Sequence, residues 1–304
     1  MTALKNKIDF AVLIAVQNAN PNGDPMLNNR PRTNMRGYGV ISDVCLKRKL
    51  RNRLDDLGAE IFFTAPDRNY DGFTSLQERA ENCPDLNGAD PESFQKTACE
   101  KWMDVRAFGQ LFAYSSKKKV RKNKKSEEES EGEGAGSGVS IGIRGPVTIQ
   151  QATSLHPVEI EEMKITKCFN GITTETKKRS SDTMGDKFTI PFGVYLAYGS
   201  INARLAEKTG FTCEDADMIH KALETLFEND ESASRPSGSM DVLQVFWWEH
   251  DGLDSVVPSG VVHRSLTVQI PATPSSVDEI SLYCKNLPGV HLSLMEGGVP
   301  VNID

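Results

Sequence analysis

Residues 36–52 read RGYGVISDVCLKRKLRN, and their first four letters match the start of the octamer that binds bases in RNA-recognition (RRM) domains. The match then fails, because the octamer needs aromatic residues where this chain has Val40 and Asp43. We therefore predict no octamer strand here, but a loop and a helix that begins near Gly39. Gly58 stands where the end of this helix is expected. The predicted helix has one apolar stripe, formed by Leu46, Leu50, Leu54 and Leu57.

The apolar run KIDFAVLIAVQ at residues 7–17 precedes this stretch. Both of its alternating sets of side chains are apolar, which predicts a strand buried on both faces. The lysines before the run give it a weak resemblance to a signal peptide, but Asp9 interrupts that pattern. A membrane span would need about 20 apolar residues, so we favour the buried strand. Its two faces would be Ile8, Phe10, Val12, Ile14 and Val16 on one side, and Ala11, Leu13 and Ala15 on the other.

Strands and helices alternate along the rest of the chain. An amphipathic helical period covers residues 213–229. Without insertions the order is strand, helix, strand, strand, helix, strand. This βαββαβ order predicts an α+β fold of the RRM or ferredoxin-like type, with residues 1–304 as a single domain. The predicted strands after the first are residues 59–66, 139–150, 188–202, 240–250 and 264–271.

Three insertions interrupt this order. Residues 66–114 look mostly helical, and residues 164–189 look like a projecting hairpin whose arms alternate around polar, glycine-containing turns. Residues 115–138 are a run of positive charge, then of negative charge, then of Gly and Ser, without a hydrophobic period. Such a composition cannot bury a core, so we predict a disordered charged loop there.

Charge is distributed unevenly along the chain. The 304 residues carry a formal net charge of −7, which by itself argues against a nucleic-acid partner. Between Arg30 and Arg53, however, eight cations accompany a single acid, Asp43, so this segment carries +7. A polyanion responds to such a local potential and not to the total charge. The six cysteines are scattered without metal-binding spacing, which predicts reduced thiols in a cytosolic protein.

Two basic elements are candidates for phosphate contacts. Lys47 and Arg51 share one face of the predicted helix, and Arg48 lies beside them. The second element is the hairpin, whose cations and hydroxyls suit a nucleic-acid backbone and whose apolar side chains could wedge between bases: Lys177, Lys178, Arg179, Ser180, Ser181, Met184 and Phe169. Either element could instead be solvated surface.

Arg144 interrupts an apolar strand, so its side chain must reach a partner, the solvent or an internal ion pair.

Catalytic and metal-binding patterns are weak. The five histidines are scattered, and no H-E-x-x-H motif, nucleophile elbow, P-loop or dinucleotide-binding glycine pattern occurs. His250 and His263 would form an acid–base pair only if the fold brings them together. Residues 18–29 resemble a calcium loop, but Asn29 replaces the glutamate that supplies its last ligand. We predict no catalytic residue, no metal and no cofactor.

Several longer motifs together resemble a known family. NANPNGDP, NNRPRTN, GYGVISDVCLKRKLRN, DVRAFGQLFA, SIGIRGPVTIQ and SSDTMGDKFTIPFGVY follow one another in a resemblance that runs from about residue 8 to residue 250. They are similar to the CRISPR-associated Cas-seven backbone family, and most similar to its subtype I-C branch.

The resemblance implies an RRM-like palm with finger-like insertions and a projecting thumb hairpin. Copies would stack into a filament along a CRISPR guide RNA, next to other Cascade subunits of the Cas-five, Cas-eight and small-subunit families. Each thumb would turn a guide base outward and leave the bases between thumbs to pair with target DNA, as antiviral defence in the prokaryotic cytoplasm. The subunit would be non-catalytic and would bind no membrane.

The resemblance also assigns individual residues to the guide. Lys47, Arg48 and Arg51 would hold its phosphates, and Arg144 would lie in a palm strand. The approach to the helix would contribute Asn34, Arg36 and Ser42, and the thumb would contribute Lys178, Arg179, Ser181 and Met184.

Two other functions stay open at this point. The chain could be an endoribonuclease of CRISPR RNA, either metal-independent or dependent on Asp24, Asp43 or the histidines. It could also be a scaffold that binds only proteins, in which case no RNA would co-purify with it.

Overall fold

A computed structural model describes residues 2–86, 89–113, 140–166 and 184–304 of the chain. Within these residues the helices are α1 Asp43–Asp56, α2 Leu76–Glu81, α3 Pro91–Lys101, α4 Met103–Phe108, α5 Ala203–Thr209, α6 Cys213–Glu224 and α7 Ser259–Ser265. The strands are β1 Ile8–Ala19, β2 Gly23–Asp24, β3 Arg30–Pro31, β4 Tyr38–Ile41, β5 Gly109–Ala113, β6 Ser140–Arg144, β7 Val147–Ile149, β8 Ala152–Pro157, β9 Glu161–Thr166, β10 Met184–Ile201, β11 Met240–His250, β12 Leu266–Gln269, β13 Ser281–Cys284, β14 Val290–Leu294 and β15 Val301–Ile303.

A large antiparallel sheet organises the described part of the chain. Its strands lie in the order β14-β11-β1-β10-β8-β4, and β7 and β9 also pair with β10. The long strand β1 lies in the middle and is antiparallel to both β10 and β11, with Ile14 opposite Tyr195 of β10. The four central strands therefore follow the order β11-β1-β10-β8.

The two faces of this sheet are covered by different elements. Phe10, Val12 and Ile14 of β1 pack with the apolar sides of α1 and α6 in one core. The alternate residues Leu13 and Ala15 pack against the C-terminal segment in a second core. The prediction that β1 is buried on both faces is confirmed, because these side chains are at most 8% exposed.

A third core belongs to the helical segment that follows α1. It joins Phe62, side chains of α2 to α4, and residues of the two-stranded sheet β5-β6. Phe62 contacts the rings of Trp102 and Phe112, with centroid distances of 4.6 Å and 5.2 Å. This segment therefore has its own apolar centre beside the large sheet.

Several predicted boundaries are wrong. The helix begins at Asp43 and not near Gly39, because residues 38–41 form the strand β4 on the edge of the large sheet. Residues 59–65 form no strand. The predicted strand 139–150 divides at Gly145 into β6, which pairs with β5, and β7, which pairs with β10. A Cβ atom at Gly145 would lie 2.3 Å from the carbonyl oxygen of Ala107, so this close approach requires glycine. The terminal strand is only Leu266–Gln269, and Ser265 still belongs to α7.

Two further points concern membrane spans and the predicted segments that the structure does not describe. No helix among the described residues is long and apolar enough to cross a membrane. The predicted charged loop 115–138 and the tip of the predicted hairpin, residues 167–183, lie outside the described residues.

Candidate nucleic-acid interface

A tight turn precedes β4 and presents the side chain of Arg36. The side-chain oxygen of Asn34 accepts hydrogen bonds from the backbone N–H groups of Arg36 (2.9 Å) and Tyr38 (3.1 Å). Gly37 supplies the positive φ of 79° that this turn requires. Asn34 therefore holds the turn, and Arg36 extends from it into solvent.

The start of α1 is fixed by polar contacts. Ser42 is the N-cap residue, and its hydroxyl accepts a hydrogen bond from the N–H of Cys45 (3.2 Å). The N–H of Ser42 donates to the side chain of Asn22 (2.9 Å), which ties the preceding arm to the helix. Ser42 therefore positions the start of the helix, whereas the resemblance assigned it only a contact with RNA.

Three cations of α1 are held inside the protein. Lys49 is 4% exposed and forms an ion pair with Asp230, while Arg53 pairs with Glu228. Arg51 donates through Nε to Asp104 (3.0 Å), and the side chains of these two residues are 14% and 2% exposed. Burial, only partly offset by the nearby Asp230 carboxylate, lowers the pKa of Lys49. Acids that the fold brings to α1 therefore neutralise three of the positive charges in the basic stretch.

Arg51 also contacts aromatic rings. Its guanidinium lies over Phe108 (4.9 Å) and over Phe63 (5.4 Å), while Asp104 accepts the N–H groups of Phe62 (2.7 Å) and Phe63 (3.1 Å). These contacts join α1 to α4 and to the chain that follows α1. Since the guanidinium is used within the fold, we leave Arg51 out of the proposed surface.

The remaining basic side chains of this region reach solvent. Lys47 pairs with Asp43 one turn away (3.1 Å), whereas the guanidinium of Arg48 lies as far as 3.9 Å from the carboxylate of Asp67. The Nε of Arg48 is buried and has no hydrogen-bond partner among the described residues. Neither Arg30 nor Arg36 forms an ion pair within that part of the chain, and both are exposed. We call Arg30, Arg36, Lys47 and Arg48 the cationic surface.

Strands β9 and β10 form a hairpin stem beside this surface. Met184 lies opposite Thr166, and Asp186 lies opposite Lys164, with which it pairs at 2.5 Å. Met184 is 65% exposed. Lys178, Arg179 and Ser181, together with Lys177, Ser180 and Phe169, lie outside the described residues.

Arg144 lies at the end of β6. It is exposed, so its guanidinium reaches solvent, which is one of the three alternatives that the sequence left open. Its strand pairs with β5 in a separate two-stranded sheet and not in the large sheet. The prediction that Arg144 lies in a strand of the palm sheet is therefore wrong, because the chain switches sheets at the following Gly145.

The face of the large sheet opposite α1 and α6 is closed to nucleic acid. RRM domains bind RNA through aromatic side chains on an open sheet face. Here Phe246 and Trp248 of β11 lie on that face but are buried, at 0% and 1% exposure. The C-terminal segment covers them with the apolar side chains of Val262, Leu266, Ile280, Leu282 and Cys284. These rings therefore cannot stack on bases as the aromatic side chains of an RRM domain do.

The two histidines considered for catalysis do meet in the fold. The side chain of His250 is fully buried and its Nε2 lies 2.9 Å from Asp9 Oδ2, while His263 Nε2 lies 4.0 Å from Asp9 Oδ1. The N–H of Val256 donates to His250 Nδ1 (3.2 Å), so Nε2 carries the proton and donates to Asp9. Both nitrogens of His250 are thus engaged inside the core, where an RNA strand has no access.

The two aspartates considered for catalysis are also engaged. Asp24 caps a short 3-10 turn by accepting the N–H of Met26 (3.0 Å) and pairs with Arg32 (3.1 Å). Asp43 pairs with Lys47 at the start of α1. Among the described residues, no group of three His, Cys, Asp or Glu side chains is arranged to hold a metal ion.

The internal partners of α1 could not be found from the sequence. Asp104 is 53 residues from Arg51, and Asp230 is 181 residues from Lys49. No local spacing connects such pairs, so the basic stretch alone could not show which of its cations stay free.

Fold and surface together define a protein of mixed helices and strands, with a large antiparallel sheet, one closed sheet face and a cationic surface along its first helix. The sequence profile of the family described as "CRISPR-associated protein Cas7" matches residues 6–284. The chain belongs to this family.

The individual relatives share between 13% and 27% sequence identity with this chain. A CRISPR-associated protein Cas7 from Haloferax volcanii is 27% identical over 227 residues, which cover 72% of this chain. The match spans 63% of that protein, less than two thirds of its length. Two solved structures, described as "CRISPR RNA-guided surveillance complex, pre-nicking" and "CRISPR RNA-guided surveillance complex", align with TM-scores of 0.43 and 0.44 at 13% and 16% identity. Both alignments cover 83% of this chain, and they cover 80% and 72% of the other chains.

Proposed function

We propose that this protein is a non-catalytic, CRISPR RNA-binding backbone subunit of a Cascade-type interference complex of subtype I-C. Copies of the chain stack along a guide RNA, bind its backbone and leave bases free to pair with target DNA in antiviral defence. The observation that carries this proposal is the cationic surface, present in a member of the Cas7 family. Arg36 is exposed, and the ion pairs of Lys47 and Arg48 lie at the surface. The other cations of α1 pair with acids inside the fold.

The proposed palm is RRM-like. The central strand order β11-β1-β10-β8, with α1 and α6 on one face, supports a βαββαβ arrangement in which β8 is the second strand and β10 the third. In this proposal residues 1–304 form one domain, interrupted by the insertion 66–114, the charged loop 115–138 and the thumb 164–189. The stem formed by β9 and β10 supports the thumb assignment.

The guide contacts follow from this arrangement. We assign phosphate contacts to Lys47 and Arg48, with Arg36 and the turn held by Asn34 in the approach to them. Ser42 acts by fixing the start of α1. Arg144 is exposed and stays a candidate contact outside the large sheet, while the thumb candidates are Lys178, Arg179, Ser181 and Met184.

The partners and location complete the proposal. They are the guide RNA, target DNA by way of the guide, further copies of the chain, and subunits of the Cas-five, Cas-eight and small-subunit families, in the prokaryotic cytoplasm. No observation specifically favours the endoribonuclease alternative, since Asp24, Asp43 and His250 are each engaged in contacts that hold the fold.

Light scattering with simultaneous absorbance at 260 and 280 nm tests the proposal. The protein is expressed with and without a CRISPR repeat–spacer transcript. A large particle that carries RNA of uniform length only when the transcript is present supports the backbone function. A monomer free of RNA in both preparations overturns it, and a large particle without RNA favours the protein-binding scaffold.

A charge reversal tests the surface itself. The double variant Lys47→Glu/Arg48→Glu should lose the RNA-containing particle while its unfolding midpoint stays close to that of the wild type. Lys221→Glu, an exposed lysine on α6, is the matched control and should keep the particle. If both variants bind RNA equally well, the cationic surface is not the guide contact.

A further inference from the structure

A small cavity lies between the end of α6 and the start of β11. Its volume is about 210 Å³. The described residues that line it include no Lys or Arg, and four of them carry carboxylates: Glu224, Glu228, Glu231 and Asp241. We call it the acidic cavity.

Three of these four carboxylates have no cationic partner. Glu228 pairs with a cation of α1. Glu231 and Asp241 are exposed and form no ion pair within the described part of the chain. Glu224 lies 3.7 Å from Nε2 of His220, but burial lowers the pKa of this imidazole, so it is neutral at pH 7. The acidic cavity therefore carries uncompensated negative charge.

A buried hydroxyl next to the acidic cavity also lacks a partner. A second cavity of about 210 Å³ adjoins the first, because Gly238 and Asp241 line both of them. Ser239 lies between these two residues in the chain and lines the second cavity. It is only 8% exposed, and its hydroxyl oxygen is buried with no hydrogen-bond partner among the described residues. Such a group costs free energy until a partner bonds to it, so it indicates an occupant independently of the carboxylates.

The chemistry of the two cavities fits an arginine within a polypeptide. Carboxylates bind a guanidinium through charge-assisted hydrogen bonds, and apolar walls suit its methylene stem and flat faces. The second cavity adds the polar side chains of Gln17, Ser275 and Ser276, which can bond to an extended backbone. A nucleic acid does not fit, because the carboxylates repel its phosphates. The apolar walls of the acidic cavity are Leu226, Phe227, Met240 and Val242.

We propose that the acidic cavity and the cavity beside it bind an extended, arginine-containing segment of a partner protein. The guanidinium pairs with the carboxylates of the acidic cavity, and the adjoining backbone bonds to the Ser239 hydroxyl. This site shares no residue with the cationic surface and needs no RNA. The inference therefore goes beyond the proposed function.

A photo-crosslinking peptide tests the site directly. The probe is a short Gly- and Ser-rich peptide with one arginine beside a photo-leucine, and the control probe has citrulline, which keeps the shape but not the charge. The full-length protein is irradiated with each probe at low salt and without RNA, and mass spectrometry locates the crosslinks. The arginine probe should crosslink to peptides that contain residues 224–243 or 275–277, and the citrulline probe should do so several-fold less.

Two matched double variants locate the charge that binds. Glu231→Gln/Asp241→Asn removes two exposed carboxylates and should lower the crosslinking yield about fivefold, with an unchanged unfolding midpoint. Glu207→Gln/Glu296→Gln removes two exposed carboxylates elsewhere and should keep the yield of the wild type. Equal yields from the two double variants, equal yields from the two probes, or crosslinks at other places overturn the inference.

The hydroxyl has its own test. Ser239→Ala should lower the yield about threefold through loss of one hydrogen bond to the peptide, and should leave the unfolding midpoint unchanged because no bond within the fold is lost. An unchanged yield, or a lower unfolding midpoint, overturns the assignment of this hydroxyl to the site. No step of these tests uses RNA, so their failure leaves the proposed function standing, and a failure to bind guide RNA leaves this inference standing.

Discussion

Arg48 and Arg51 lie three residues apart on α1 and have different surroundings. Arg51 Nε pairs with Asp104 Oδ2, and the two carboxylate oxygens also accept the backbone N–H groups of Phe62 and Phe63. Loss of the guanidinium therefore leaves a buried carboxylate without its cation. We predict that Arg51→Ala lowers the free energy of unfolding by about 3 kcal/mol. Urea denaturation measures this change, and a stability like that of the wild type would contradict the buried pair.

Arg48 should show the opposite behaviour. Its closest carboxylate is 3.9 Å away and is itself largely exposed, so Arg48→Ala should change stability little. If Arg48 binds a guide phosphate, the variant should bind RNA more weakly, and the slope of log affinity against log salt should become smaller by about 0.7. Binding isotherms at several salt concentrations measure this slope. An unchanged slope would remove Arg48 from the proposed contacts.

Gly39, in the fourth position of the octamer-like stretch, leaves room for the side chain of Tyr195 on β10. A Cβ atom there would lie 2.1 Å from the hydroxyl oxygen of Tyr195, whose side chain is fully buried beneath β4. We predict that Gly39→Ala destabilises the protein by about 2 kcal/mol or more, because Tyr195 has no space to move. Gly142→Ala on β6, where the nearest atom is 3.8 Å away, is the control. Equal unfolding midpoints for the two variants would contradict this packing.

At the scale of elements, β1 and α1 were predictable because their signals are local. An apolar run with two apolar faces predicts a buried strand, and four leucines at helical spacing predict the buried side of α1. Leu46, Leu50 and Leu54 are indeed at most 1% exposed. The strand β4 was missed because it has four residues and owes its existence to pairing with β8, more than 100 residues away. For the same reason the split between β6 and β7 could not be read from an unbroken alternating pattern.

The start of α1 yields a prediction at this scale, because Ser42 caps the helix. Ser42→Ala should lower the free energy of unfolding by about 1 kcal/mol through loss of the hydrogen bond to Cys45 N–H. Ser42→Asp should keep the cap and most of the stability but add a negative charge next to the cationic surface, so it should weaken RNA binding. If Ser42→Asp binds RNA as well as the wild type, the guide does not pass the start of α1.

At the scale of the whole molecule, two partly buried histidines make stability depend on pH. Burial lowers the pKa of His220, against the opposing effect of Glu224 and Asp217, and it also lowers the pKa of His263, against that of Asp9. The unfolded chain therefore binds protons near pH 6.5 that the folded chain does not yet accept. We predict that the free energy of unfolding decreases as pH falls below 6.5. Urea midpoints measured from pH 7.5 to 5 should fall, and should fall less in His220→Gln, which removes one of the two groups.

The closed face of the sheet predicts where RNA can touch the molecule. Because the C-terminal segment buries Phe246 and Trp248, these rings cannot stack on bases as in an RRM domain. Ultraviolet crosslinking of the RNA-bound particle, followed by peptide mass spectrometry, should place crosslinks in the peptides that carry Arg36, Arg48 and Met184. Peptides from β11 and from residues 280–284 should carry none. Crosslinks at Phe246 or Trp248 would mean that the C-terminal segment leaves the sheet when RNA binds, and that this family member reads RNA from the sheet face after all.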